Sequence, residues 1–174
     1  FNTNINKFAE NYYKQNKSTL EKVDFFFIGK RGADFFSKRS IKPIEAITRL
    51  DKDISYDLAS HVADKLLKQY LAGEYDEIRL VYNEFKSAIS QNVVCETLIP
   101  IDLSLSSFTE ERNIQKFAKD LIFEPSAKEI VEQLIVKHFD LQVYRCMSES
   151  VAAEHGARIT AMENATNNAK DIIA

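Results

Sequence analysis

Residues 149–174 read ESVAAEHGARITAMENATNNAKDIIA. Gly156 is the only residue in the stretch that weakens a helix, and large apolar side chains are few. Alanines 153, 157, 161, 165 and 169 recur at every fourth position, and Ile173 continues the row. Alanine has the highest helix propensity, and small side chains let two helix backbones approach closely. The same residues also admit a heptad-like seam through Ile159, Met162, Thr166, Ala169 and Ile173. On either reading one side of the helix faces a partner helix, while Glu154, Arg158, Glu163, Asn167, Lys170 and Asp171 supply polar surface. A terminal helix lying on its own domain is the alternative, although such a stripe normally carries more leucine and isoleucine.

Upstream, Ser126 and Glu129 fit a capping box, with Pro125 just outside it. Apolar residues then recur at Ile130, Val131, Leu134, Ile135, Leu141, Val143, Tyr144, Met147 and Val151, and no proline follows residue 125. The spacing predicts a helix over 126–174, about 73 Å long at about 1.5 Å per residue, with a kink expected near KHFD where the apolar rhythm stutters. A domain of this size is only about 30 Å across. Much of the helix is therefore expected to project from the domain or to pack on something else.

The rest reads as an α/β domain over residues 1–125. FNTNINKFAENYYKQNK has helical spacing through Ile5, Phe8, Ala9, Tyr12 and Tyr13. Val23–Ile28 is a continuous apolar strand of the kind covered on both faces. Gly29 and Gly32 end it, a short helix passes through Phe35 and Phe36, and 41–48 forms a shorter strand that Pro43 pushes to an edge. Leu58, Val62, Leu66 and Tyr70, beside Ala59, Ala63, Leu67 and Leu71, make the broad stripe of a core helix. Asp53 or Ser55 caps its start and Gly73 closes its end. DEIRLVYNEF and VVCETLIPI are hairpin strands, joined by a KSAISQN link longer than a tight turn. DLSLSSFTEERN is a polar linker, and Leu121–Phe123 a brief strand.

Composition narrows the function. An apolar fraction of 45% with twelve phenylalanines suffices for a sizeable core, and a net charge of −3 with no basic stripe gives no footprint for nucleic acid. Cys95 and Cys146 lack ligand spacing and read as small core hydrophobes in a reducing compartment. The run VDFFFIG is far short of the roughly 20 residues that span a bilayer, and no signal peptide is visible. Gly29-Lys-Arg-Gly32 matches neither the dinucleotide fingerprint nor the Walker pattern and reads as a turn with two solvated cations. His61, His138 and His155 share no metal-ligand spacing, and Asp51 and Asp53 read as loop charge. No nucleophile stands beside a base, so neither a catalytic residue, a cofactor, a metal nor a small-molecule substrate is expected. With Phe1 in place of methionine, the chain is expected to be a piece of a longer protein.

SVAAEHGARITAMENATNNAKDII resembles the C-terminal signature of the gamma subunit of F-type ATP synthases of the bacterial type. Ser150, Ala152, Glu154, Ala157, Arg158, Ala161, Met162, Ala165, Thr166, Asn168 and Ala169 match that family's pattern, from which Gly156 and Ile159 depart mildly. IGKRGADFF, YNEFKSAISQ and FEPSAKEIVEQLI are similar to three further stretches of the family, in the same order along the chain, and FNTNI follows its L-C-G-G-F-N segment.

The resemblance implies a Rossmann-like sheet with flanking helices, plus a long C-terminal helix, residues 126–174, that forms half of an antiparallel coiled coil in the full protein. Its first part would pack on the domain and its last part would belong to the axle. It also implies a non-catalytic central-stalk subunit that couples proton-driven rotation of a membrane ring to ATP synthesis. The partners would be the alpha and beta subunits of the hexamer, epsilon and the ring of c subunits, on the cytoplasmic side of the bacterial inner membrane. Arg158, Met162, Glu163, Ala165, Thr166 and Asn168 would lie where the axle approaches the hexamer. Arg158 would meet acidic beta-subunit groups or pair with the partner helix. Phe123, Glu124 and Pro125 would lie at the foot, near the c ring and epsilon, with Pro125 also starting the helix. A nucleotide-binding α/β domain or a coiled-coil adapter is the alternative.

Overall fold

A computed structural model describes residues 2–48, 54–101 and 126–173. The linker, the strand at 121–123, the Asp51/Asp53 pair and the foot residues Phe123, Glu124 and Pro125 lie outside the described residues.

Helix α1, Asn2–Asn16, leads to strand β1, Phe26–Ile28, and then to α2, Lys30–Ser37. Strand β2, Glu45–Ile47, pairs in parallel with β1, Phe27 opposite Ala46. The ladder is shorter than the apolar runs, three residues on each strand. The backbone amide of Ile44 still reaches the Phe25 carbonyl at 2.9 Å, and that of Gly29 the Ile47 carbonyl at 2.8 Å. Gly29 turns the chain at φ 114°, open to glycine alone, and a Cβ on Gly32 would sit 2.8 Å from the Phe27 ring. Both glycines of the Gly-Lys-Arg-Gly turn thus serve the strand-to-helix corner. Phe36 is fully buried there, its ring centroid 4.7 Å from Phe25 and 5.1 Å from Phe27.

Helix α3, Tyr56–Leu71, starts at Ser55, whose hydroxyl accepts from the Leu58 amide at 3.2 Å, so of the two expected caps Ser55 is the one observed. It ends at Gly73, φ 74°. Its apolar stripe faces inward, with Ala59, Val62 and Ala63 buried, except for Leu71, which is exposed. Strands β3, Ile78–Ser87, and β4, Ser90–Ile99, form an antiparallel hairpin. Here the expected long link is corrected: pairing continues to Ser87 and Ser90 and leaves only Ala88 and Ile89 as the turn. The polar residues that suggested a loop lie on an open part of the ladder, which needs only backbone groups. Gln91 then closes the turn through its amide, bonded to the Ala88 carbonyl at 3.0 Å.

Helix α4 is 47 residues long, Ala127–Ile173, or about 70 Å. Ser126 caps it through a 3.2 Å bond from the Glu129 amide. It runs as one uninterrupted helix through KHFD, and the stutter there has a tertiary cause. Asp140 occupies a buried position facing α3, where Tyr56 and Ser60 hydroxyls each donate to Oδ2 at 3.1 Å. Around it the core assembles Ala59, Val62 and Ala63 of α3, Leu98 and Ile99 of β4, and Phe139, Val143 and Met147 of α4. The α4 members are spaced by four residues, one face of a helix, and the α3 alanines let the two helices close on each other. The α/β class holds, with one parallel and one antiparallel strand pair among the described residues.

Candidate functional site

Exposure divides α4 into three parts. Residues 131–138 are all exposed, residues 139–160 contain every buried position, and residues 161–173 are again all exposed. The middle part is a seat on α3 and the hairpin; the last part touches nothing enough to be covered.

The seat crosses the alanine row itself. Ala153 is fully buried and Ala157 half-buried, whereas Ala161, Ala165 and Ala169 are bare. Gly156 is buried because the hairpin turn crosses it: a Cβ there would stand 3.1 Å from the Phe85 ring and 3.2 Å from the Ala88 Cα. The departure of Gly156 from the family pattern is therefore a close approach of two backbones. Thr160 ends the seat by donating its hydroxyl to the Ala88 carbonyl at 2.9 Å. Lower down, the Asn83 amide donates to the Ser150 hydroxyl at 3.1 Å. The reading of α4 as a helix lying wholly on its own domain fails beyond residue 160, since Ile159, Met162, Ile172 and Ile173 are all more than half exposed.

The expected interface residues Met162, Glu163, Ala165, Thr166 and Asn168 lie on this bare section, and Arg158 is exposed at the upper end of the seat. Arg158 pairs with Glu154 of its own helix at 2.6 Å, and Thr166 returns its hydroxyl to the Met162 carbonyl at 2.9 Å. Met162 is 56% exposed, and Glu163, Ala165 and Asn168 are open as well. An exposed intrahelical pair contributes about 0.5 kcal/mol, so the guanidinium of Arg158 is readily released to another partner.

A polar cluster in the seat has no counterpart in the sequence reading. Arg145 of α4 donates to the Tyr82 hydroxyl at 3.0 Å and to Glu149 at 3.1 Å, and its other terminal nitrogen pairs closely with Glu96. The Tyr82 hydroxyl donates in turn to Glu96 at 3.2 Å, and the Cys146 thiol donates to the same carboxylate at 3.3 Å. Burial opposes the charge on Arg145, but the Tyr82 hydrogen bond and the nearby Cys146 and Glu96 outweigh it and hold its pKa above the usual value. Burial pushes the Tyr82 hydroxyl up to about 12. Burial, then the hydrogen bond to Glu96, takes the Cys146 thiol from an ordinary 9.0 up to about 12. Cys95 is also raised, by burial first.

A prediction follows for the thiols. The folded state keeps the Cys146 proton where the unfolded chain loses it, so its contribution to stability is present below pH 9 and lost as pH rises toward 12. In an alkylation time course at pH 8, Cys146 reacts only as fast as the seat opens, and denaturant exposes it at once. Rapid labelling of Cys146 in the native chain would contradict its place in the seat.

Among the described residues no group of three histidine, cysteine or carboxylate side chains could hold a metal ion, and no helix is long and apolar enough to cross a membrane. His138 and His155 are exposed on α4, and His61 contacts the Asp57 carbonyl at 3.0 Å. Lys30 and Arg31 of the glycine turn are exposed.

All of residues 1–174 match the family model described as ATP synthase. The chain belongs to the ATP synthase family. It is 62% identical, over 99% of its length, to the ATP synthase gamma chain of Bdellovibrio bacteriovorus, and 38% identical over its whole length to that of Anaeromyxobacter sp. strain K. It spans 59% of the first relative and 58% of the second. The resemblance to gamma subunits read from SVAAEHGARITAMENATNNAKDII therefore holds for the chain as a whole. Its fold matches a chain in the central stalk and c-ring structure of Tetrahymena thermophila mitochondrial ATP synthase, at a TM-score of 0.68 over 95% of this chain and 69% of that one. A chain of the Euglena gracilis mitochondrial ATP synthase rotor matches at 0.60, over 94% and 63%. Both are 22% identical and speak for the fold alone.

Proposed function

We propose that the chain is the globular part and part of the shaft of a central-stalk rotor subunit in an F-type ATP synthase. In this reading residues 1–125 form the domain held to epsilon and the c-subunit ring, with Phe123, Glu124 and Pro125 at its foot. Residues 126–174 form the helix, docked through residues 139–160 and entering the alpha/beta hexamer by its last part. The subunit has no catalytic site of its own and lies peripherally on the cytoplasmic side of the bacterial inner membrane. Proton flow turns the ring, the shaft turns with it, and each beta subunit meets a different face of the helix in succession. Such a shaft acts as a ligand with several orientations, and only contacts that differ between beta-subunit conformations shift their equilibria.

The observation that carries this reading is a helix gripped over residues 139–160 and bare over 161–173, with the signature residues Met162, Glu163, Ala165, Thr166 and Asn168 on the bare section. Such a surface suits a partner helix along the alanine row and hexamer contacts elsewhere. The nucleotide-domain alternative loses its support, since Gly29 and Gly32 are consumed by a turn and by the Phe27 ring.

The test is cysteine cross-linking in the assembled enzyme. With the full-length chain expressed alongside alpha and beta subunits, cysteines introduced at Glu163 or Asn168 are expected to cross-link to beta subunits. Cysteines at Lys7 or Lys38, far along the chain on the domain, are expected not to. Failure of the chain to enter the hexamer at all would overturn the rotor reading.

A further inference from the structure

Apolar contact resists separation but is non-directional, and so gives little resistance to one surface sliding over another. The seat of α4 on the hairpin adds directional bonds at three heights. Arg145 meets Tyr82, Ser150 meets the Asn83 amide, and Thr160 meets the Ala88 carbonyl. The hairpin partners follow in the same order as the helix residues. The helix rises about 22 Å from 145 to 160, and a strand covers about 20 Å from 82 to 88. Strand and helix therefore run side by side in step.

Two of the three anchors are single bonds to β3 or its turn. Arg145 alone joins both strands, Tyr82 on β3 and Glu96 on β4, while Glu149 ties the guanidinium back to its own helix. A planar guanidinium presents its donors in a fixed fork, so its two bonds to the hairpin hold together only at one rotation of the helix about its axis. Val143 and Met147, two residues to either side and about half a turn around the helix, are buried in the core shared with α3 and β4 and hold α4 down from that face.

We propose that Arg145 is the positioning residue that makes the β3–β4 hairpin and α4 turn as one body, a role that rests on the rotor reading above. Torque delivered to the globular part then reaches the bare end of the helix without slip at the seat.

The experiment measures ATP-driven proton pumping per ATP hydrolysed, in inverted membrane vesicles carrying the whole enzyme with the full-length chain. Arg145→Met is expected to leave an assembled, ATP-hydrolysing complex whose pumping per ATP falls severalfold. Arg145→Lys, which keeps the charge without the fork, is expected to recover only part of the ratio. A variant that merely loosened the fold would lower hydrolysis and pumping together. An unchanged ratio in Arg145→Met overturns the proposal. Should that variant fail to assemble, the exchange Arg145→Glu with Glu96→Arg decides: restored assembly with coupled pumping supports the latch, and no restoration overturns it. Loss of the rotor reading itself would appear separately, as absence of the unaltered chain from the hexamer.

Discussion

In the isolated chain, backbone amides of residues 161–173 exchange with solvent orders of magnitude faster than those of residues 143–156. Every residue from 161 to 173 is exposed, so the only bonds protecting those amides are those of the helix itself. An isolated helical segment shorter than about 12–15 residues is marginal in water even when rich in alanine, and opening it from the free end breaks no packing. Amides under Val143, Met147 and Ala153 can exchange only when the seat opens, at a free energy approaching the global value of about 5–15 kcal/mol. Hydrogen exchange read by mass spectrometry resolves the two segments directly. Protection of 161–173 at the global level in a monomer would mean that a surface covers this section without a partner. Within the assembled enzyme the same amides are expected to slow, because packing then replaces fraying.

Phe139→Ala is expected to destabilise the fold by about 3–5 kcal/mol, measured by urea unfolding. Phe139 is 5% exposed and joins the cluster formed by Ala59, Val62, Ala63, Leu98 and Ile99, so truncation removes apolar burial and leaves a void between α3, β4 and α4. The neighbours are helices and a hairpin already in contact, which limits collapse into the space. Phe139 also precedes Asp140, whose buried Oδ1 has no partner among the described residues, and loosening this turn would disturb the Tyr56 and Ser60 bonds to Oδ2. Ala161→Gly, by contrast, touches no packed neighbour and is expected to cost about 1 kcal/mol of helix propensity and nothing of the core. A near-neutral Phe139→Ala would show that the seat of α4 is not anchored where the core places it.

What could be read ahead follows from the range of the forces involved. Helix spacing at Leu58, Val62 and Leu66 and the apolar run of β1 are local patterns, and the elements they mark are present. Pairing of KSAISQN across a two-residue turn was missed because backbone bonds carry no side-chain signature. The stutter at KHFD was legible as an irregularity but not as a cause. Only the folded chain reveals that Asp140 belongs on the packed face, its Oδ2 held by two hydroxyls of α3, 84 and 80 positions earlier.

The amino-acid order alone determined that roughly the last quarter of the chain is helical with a methyl-lined edge, because helix propensity and proline-free spacing act within a few residues. It also determined the family, through the signature on that helix. Tertiary structure decided where the helix is held and where it is free, splitting the alanine row between Ala157 and Ala161. It alone assembled Arg145 with Tyr82 and Glu96, 63 and 49 positions away. Charges at such separations carry no periodicity, and the folded backbone is what brings them within bonding distance.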